Sequence, residues 1–375
     1  MRKHIIYRYF LFLSLVGLMQ LTLSCSSSSN EIEPLKPEGE DTPLEKDEYT
    51  FMNVEYRKWQ NGTFQAWTTA DSRETRTIDN MNWHTPSSGY SRTAWGGRIG
   101  LQPSSVVGKE SFFRVAYCGG RSYLLDPDNG AVIIHGIQHV RPGESTAHKK
   151  AFGTRYGSEA RWSEETGKLL ADNHINYISY GSNRIEVFPA AVRGNLLTPK
   201  TQKIAYAENL YLLRTFMWDM SKNLGYAFDD DKYNRLVLLF EPTFATYIDR
   251  LVQEKSALFA GDRHFIGFYL DNELPFASYQ GTGYANTEGG GWLVHTQKNR
   301  GEFYQNFCLR LLETRNCVGW VHFEYNDGYD SNGKASNKGV VSIEYEPYES
   351  FLSQMRQLNL SVHSLIDYYD IKSVQ

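Results

Sequence analysis

His264–Phe276 reads HFIGFYLDNELPF, and the fold follows from how this stretch is interpreted. Phe265, Ile266, Phe268, Tyr269 and Leu270 make a short apolar, β-branched and aromatic run, of the length that suits a buried strand. The run stops at Asp271-Asn272-Glu273, and Pro275 blocks its continuation in a ladder. A buried strand that delivers a carboxylate and an amide at its C-terminal end is the arrangement by which a parallel α/β barrel positions reactive groups. The plainer alternative is a strand end whose acidic residues are only solvated.

Working outward, the same pattern recurs on both sides. AVIIHGIQHV (Ala131–Val140) is an apolar β-branched strand ending on Gln138-His139, and INYISYGS (Ile175–Ser182) is a second. Between them lie a Gly/Lys-rich loop and a helix, Ser158–Asn173, with Ala160, Trp162, Leu169 and Leu170 partly at helical spacing. LYLLRTFMW, within Tyr206–Trp218, reads as a further strand, and Arg235–Phe240 is another short apolar run. Thr243–Phe259 is predicted helical, with Phe244, Tyr247, Ile248, Leu251 and Leu258 on one face. After the Gly-rich loop Gln280–Gly291 comes a helix from Thr296, a plausible cap, to Thr314. CVGWVHFEY (Cys317–Tyr325) is again a buried strand, and Glu346–Leu365 a closing helix. Strands alternating with helices imply βα units and a parallel sheet, so the fold class is α/β.

The N-terminal part is different. Residues 1–25 read as an export signal: Arg2, Lys3 and Arg8 start it, and Tyr9–Leu23 is apolar but short for a membrane span. It closes on Leu23-Ser24-Cys25, a lipoprotein-like pattern with Thr22 where Leu is usual; ordinary secretion is the alternative. Either way the mature protein leaves the cytoplasm, and a lipid on Cys25 would hold it at the bacterial outer membrane or cell surface. Residues 26–48 lack aromatic residues and abound in Ser, Pro and Glu, the composition of a disordered tether. Residues 49–108 form a small β-rich accessory region, in which Asn61-Gly62 between aromatic runs signals a hairpin. Its Trp59, Trp67, Trp83 and Trp95 either stack on a glycan or pack onto the main domain at 109–375. There, strands at Phe112–Ala116 and Tyr123–Leu125 flank Gly119-Gly120, and Asp126-Pro127-Asp128-Asn129-Gly130 is a tight turn.

Composition narrows the functional classes. The 375 residues suffice for one large domain and a small one. A net charge of −4 gives no reason to expect nucleic acid or an anionic membrane as a partner, so membrane contact would come only through the anchor. The aromatic content of 14% suits either core filling or stacking on sugar rings. Beyond Cys25, the cysteines Cys118, Cys308 and Cys317 are odd in number, which argues against a disulfide framework. No Cys/His cluster has metal-ligand spacing, and no cofactor is expected.

Several blocks resemble the β-agarase-like glycoside hydrolases, retaining enzymes built on a (β/α)8 barrel. GRSYLLDPDNGAVIIHGIQHV (Gly120–Val140) is similar to the approach to the family's first barrel strand, and IGFYLDNELPF to its acid/base strand. VGWVHFEYND, with SNKGVVSIEYEPY, is similar to its last strand and final helix, so the resemblance covers roughly 110–375 in pieces. It implies a TIM barrel acting on a polysaccharide or oligosaccharide of galactan type. By position it makes Glu273 the general acid/base and Asn272 a partner of a sugar hydroxyl. A glycosidase acid must stay protonated near neutral pH, which needs an apolar surround; Phe268, Tyr269, Phe276 and Trp320 are candidates for it. His139, Trp320, His322 and Tyr325 become candidate substrate contacts, although a structural role for His139 is equally open.

The chain also departs from that family. A retaining enzyme needs a second carboxylate about 5–5.5 Å from the first, and the family carries it on a seventh strand. Here Glu273 and Gly319 are only 46 positions apart. At about 30 residues per βα unit, three further units do not fit. The barrel is therefore expected to be incomplete, without its fifth to seventh strands and with an internal deletion between 276 and 296. Glu324 and Glu288 are the nearest substitutes for the nucleophile, and His322 stands where the family carries Trp. Three readings follow: an active glycoside hydrolase, an inactive relative that binds glycan, and an incomplete product of an active gene.

Overall fold

Among the described residues five parallel strands form the central sheet. In the computed structural model they are β1 (Ile134–Ile137), β2 (Tyr177–Ile178), β3 (Ala205–Asn209), β4 (Phe265–Tyr269) and β5 (Gly319–His322). Their order across the sheet is β4-β3-β2-β1-β5, with every neighbouring pair parallel. The last strand thus returns beside the first, Gly319 opposite Ile134 and His322 opposite Ile137. Among the described residues β4 and β5 are the outer strands. The structure describes residues 52–60, 63–81, 90–182, 203–224, 240–271, 293–329 and 335–372, all within one compact unit, Asp47–Gln375. The expected leader and tether, Cys25, the run before Phe240, Asn272, Glu273, Phe276 and Glu288 lie outside those residues.

Among the described residues six helices accompany the sheet: α1 (Thr146–Arg155), α2 (Glu159–Asp172), α3 (Leu212–Leu224), α4 (Phe244–Leu258), α5 (Gln297–Glu313) and α6 (Glu349–Lys372). Their starts follow local chemistry. The side chains of Ser145, Ser158 and Thr296 accept the His148, Arg161 and Asn299 amides at the starts of α1, α2 and α5; such caps satisfy donors that a helix cannot pair internally. Two expectations fail. The Gly/Lys-rich loop after β1 contains α1, started by its Ser145 cap. LYLLRTFMW is not a strand: the strand is AYAEN (Ala205–Asn209), and Leu212, Leu213, Phe216 and Met217 fall at helical spacing and are buried.

Alternation along the strands divides the sheet into two faces. One carries Ile137, Ile178, Tyr206, Phe265 and, past the register shift after Phe265, Phe268, against Trp162 and Leu170 of α2 and Phe351, Leu352 and Met355 of α6. The other carries Ile134, Tyr177, Ala205, Ala207, Ile266 and Val321, which meet Trp95, Phe113, Leu124 and Val132 from the antiparallel region. That region is a four-stranded sheet, Ser105–Val107, Arg114–Cys118, Arg121–Leu125 and Ala131–Val132. In the Asp126–Gly130 turn, Asp126 Oδ1 accepts the Asp128 and Gly130 amides, each at 2.9 Å. Thr93 Oγ1 donates to Asp126 Oδ2 at 2.5 Å, tying the turn to the segment that carries Trp95.

The N-terminal strands are stitched into the same unit. Met52–Arg57 pairs antiparallel with Asp71–Thr75 and with Leu293–Val294, the short strand just before α5. On either side of residues 61–62, Trp59–Gln60 pairs antiparallel with Thr63–Phe64. Trp95 is buried at the foot of the sheet, its ring centroid 4.6 Å from that of His264. Trp67 stacks on His295 at 3.4 Å with Arg57 over it at 4.4 Å, so both neighbours are protein groups.

Candidate functional site

The C-terminal ends of the five strands converge on one rim. His139 lies two residues beyond β1 with φ 56°, the left-handed region that costs a non-glycine residue about 1–2 kcal/mol. Its Nδ1 is 3.1 Å from Glu324 Oε2, and both side chains are partly exposed, at 26% and 16%. Glu324 leaves β5 as His139 leaves β1, so the β1–β5 pairing brings the two together across 185 positions of sequence. Phe323 stands edge-on to His139 at 5.1 Å and is 43% exposed, with Lys338 Nζ 5.8 Å from its centroid. A carboxyl group, a ring nitrogen and an open aromatic face are thereby in one place.

Tyrosines line the other half of the rim. Tyr177 of β2 donates its hydroxyl to Tyr269 Oη at 3.1 Å, spanning β3, and Ser179 Oγ reaches the same oxygen at 3.4 Å. Burial pushes the Tyr177 phenol up, so it remains a hydroxyl. Tyr180 stands edge-on to Tyr269 at 4.7 Å and to Tyr211 at 6.2 Å. Gly181 follows with φ 73°, and a Cβ there would lie 2.6 Å from His139 Cδ2, so this position keeps the histidine in place.

Asp271 ends the described part of the LDNE stretch, and its Oδ2 accepts the Leu213 amide at 2.8 Å in the first turn of α3. A carboxylate there satisfies an orphan amide and faces the positive end of the helix dipole. The first acid of the triplet is therefore engaged with the helix. Glu273 and Asn272 come immediately after it in the sequence.

Trp320, His322 and Tyr325 are not on the rim. Residues 320 and 322 alternate with Val321 and so face the helices. Trp320 is 7% exposed and donates its Nε1 to Tyr304 Oη at 2.6 Å. His322 Nε2 lies 2.9 Å from Lys338 O, and burial pulls its imidazole down to about 3. Tyr325 is 1% exposed, with its hydroxyl 2.9 Å from Thr166 Oγ1 in the helix-facing core. Of the named residues, His139 and Glu324 meet. Tyr177, Ser179, Tyr180, Tyr211 and Phe323 were not singled out from the sequence; their only signal was proximity to strand ends. Among the described residues no group of three or more His, Cys, Asp or Glu side chains is placed to hold a metal ion, and Cys118, Cys308 and Cys317 are free thiols.

No protein-family model and no curated protein sequence matches the chain. Among solved structures it is similar to BpGH50, with TM-score 0.68 at 18% identity over 86% of this chain and 96% of that one. The agarase AgWH50C superposes with TM-score 0.45 at 12% identity, over 73% of this chain and 66% of that one. A structure described as an exo-beta-agarase gives TM-score 0.45 at 10% identity, over 74% and 67%. The chain therefore spans about two thirds of the length of those two agarases and nearly all of BpGH50. Its fold is that of BpGH50.

Proposed function

We propose that this chain is a glycoside hydrolase acting with retention on β-glycosidic bonds of a galactan-type polysaccharide, with Glu273 as general acid/base. The observation that carries this reading is the rim itself: His139, Glu324 and Tyr269 stand at the C-terminal ends of parallel strands, and Glu273 follows β4 by four residues. In a parallel α/β fold that end is where reacting groups gather. The sheet is then a (β/α)8 barrel without its fifth to seventh strands, and Glu324 takes the place of the seventh-strand nucleophile. Its bond to His139 would hold the carboxylate aimed into the cleft. Protonated Glu273 would release the leaving sugar as the second carboxylate attacks the anomeric carbon, and then activate the water that frees the product. Asn272 would bind a sugar hydroxyl. An anchor at Cys25 on the polar tether would keep the protein on the outer membrane or cell surface, against insoluble polysaccharide.

The 46 positions between Glu273 and Gly319 favour a second reading, glycan binding without turnover. The match to BpGH50 over 96% of its length and 86% of this chain supports reading the two folds together. Reducing-end release from agarose and related galactans, with pull-down on the same polymers, separates the readings. Glu273→Gln is expected to lose at least about 10²-fold in turnover, the scale of general acid/base catalysis, and to keep binding. Glu324→Ala should be inactive and rescued by azide. Undiminished turnover in Glu273→Gln refutes the acid/base role; binding by the wild-type protein with no release supports the second reading.

A further inference from the structure

On the helix side of the rim, a cavity of about 370 Å³ lies between the end of β3 and helices α3 and α4. That volume is within the roughly 300–1,000 Å³ of small-molecule sites. Its wall includes Glu208, Asn209, Arg214, Trp218 and Lys255. Trp218 is 61% exposed, unusual for the largest aromatic side chain, and the Arg214 guanidinium carbon sits 4.8 Å from its ring centroid. Among the described residues Arg214 makes no hydrogen bond or ion pair beyond that stacking.

The chemistry of this wall is specific. An open indole suits the apolar face of a pyranose ring. Arg214 and Lys255 supply two cations against the single Glu208 carboxylate, a balance that favours an anionic substituent. We propose that this cavity is a second glycan subsite that takes a sugar unit bearing a sulfate or a carboxylate. The inference rests on the reading of the chain as glycan-directed and adds the substrate class: an acidic galactan.

Calorimetric titration of the full chain with a neutral agarose-derived tetrasaccharide and a sulfated one of equal length tests it, at low and at high salt. The sulfated probe should bind about tenfold more tightly at low salt, with the preference shrinking as salt screens the cations. Arg214→Gln with Lys255→Gln should abolish the preference, and Trp218→Ala should weaken both probes by about tenfold. Arg214 and Trp218 are surface positions, and circular dichroism melts verify that the variants stay folded. Equal affinity for the two probes, a preference that survives the double variant, or no binding of either probe overturns the proposal. Glu273→Gln separates the two ideas: sulfated-probe binding unchanged in that variant, with no galactan hydrolysed even by wild type, leaves the subsite standing while the hydrolase reading falls.

Discussion

At the scale of single residues, the rim depends on a contact that no sequence pattern announces. Gly181 leaves room for the His139 ring and adopts a φ of 73° that other residues avoid. Gly181→Ala should displace His139, break its bond to Glu324 and lower stability by about 1–2 kcal/mol in urea unfolding. The same variant should lose galactan turnover; full activity with an unchanged His139 imidazole signal in NMR would contradict the account. Buried histidines give a second prediction. Burial holds His135 down to about 3 and His363 to about 4, so both are neutral in the folded protein at and below neutral pH. The unfolded chain takes up protons at about pH 6.5, the folded one only near those lower values. The stability these groups contribute is therefore present above about pH 6.5 and lost as pH falls. Each adds up to about 1.4 kcal/mol of loss per pH unit. Replacing both by Gln should flatten the slope of unfolding free energy between pH 6.5 and 4.5; an unchanged slope would show that they carry none of it. Glu324 and His139 were visible as candidates, but their pairing was not, because it is made by strands far apart in sequence. Trp320, His322 and Tyr325 were misread for a simpler reason: their strand was visible, but which face looked toward the helices was not.

At the scale of elements, long periodic segments were the most legible. Ser158–Asn173 became α2 with those two residues as its caps, and Thr296–Thr314 became α5 in the same way. LYLLRTFMW was ambiguous because a short apolar run suits a buried strand or a buried helix face equally. What the pattern could not convey was how the antiparallel strands join the helices. Arg121 shows the strength of one such join. It is fully buried, with Nε and Nη2 on the two oxygens of Asp370 in α6 at 3.2 and 2.7 Å, and Nη1 on Leu312 O of α5 at 2.8 Å. Removing one member of a buried, hydrogen-bonded ion pair costs about 3–5 kcal/mol, because the partner charge is left without compensation. Arg121→Ala should lower the urea midpoint accordingly, and Asp370→Asn less, since it keeps hydrogen-bonding capacity. A loss under 1 kcal/mol for Arg121→Ala, on that scale, would mean that Arg315, also 3.1 Å from Asp370, carries the junction instead.

At the scale of the whole molecule, the arrangement explains how a chain with five described parallel strands still presents a formed rim. β5 returns beside β1, so the end of the chain supplies Glu324 to the same edge that β1 supplies with His139, and α6 covers the outer face. The α/β class and the parallel sheet were readable from strand–helix alternation, and the shortened interval from counting residues. Only the fold could show the likeness to BpGH50, at 18% identity and TM-score 0.68. Glu273 is proposed to work on a glycosidic bond at this rim. A crystal structure of the Glu273→Gln variant with a bound galactan oligosaccharide tests it most directly. The account predicts the residue 273 side chain within hydrogen-bond reach, about 3 Å, of a glycosidic oxygen, on the rim shared by His139 and Glu324. A sugar bound elsewhere, with residue 273 facing bulk water, would contradict it.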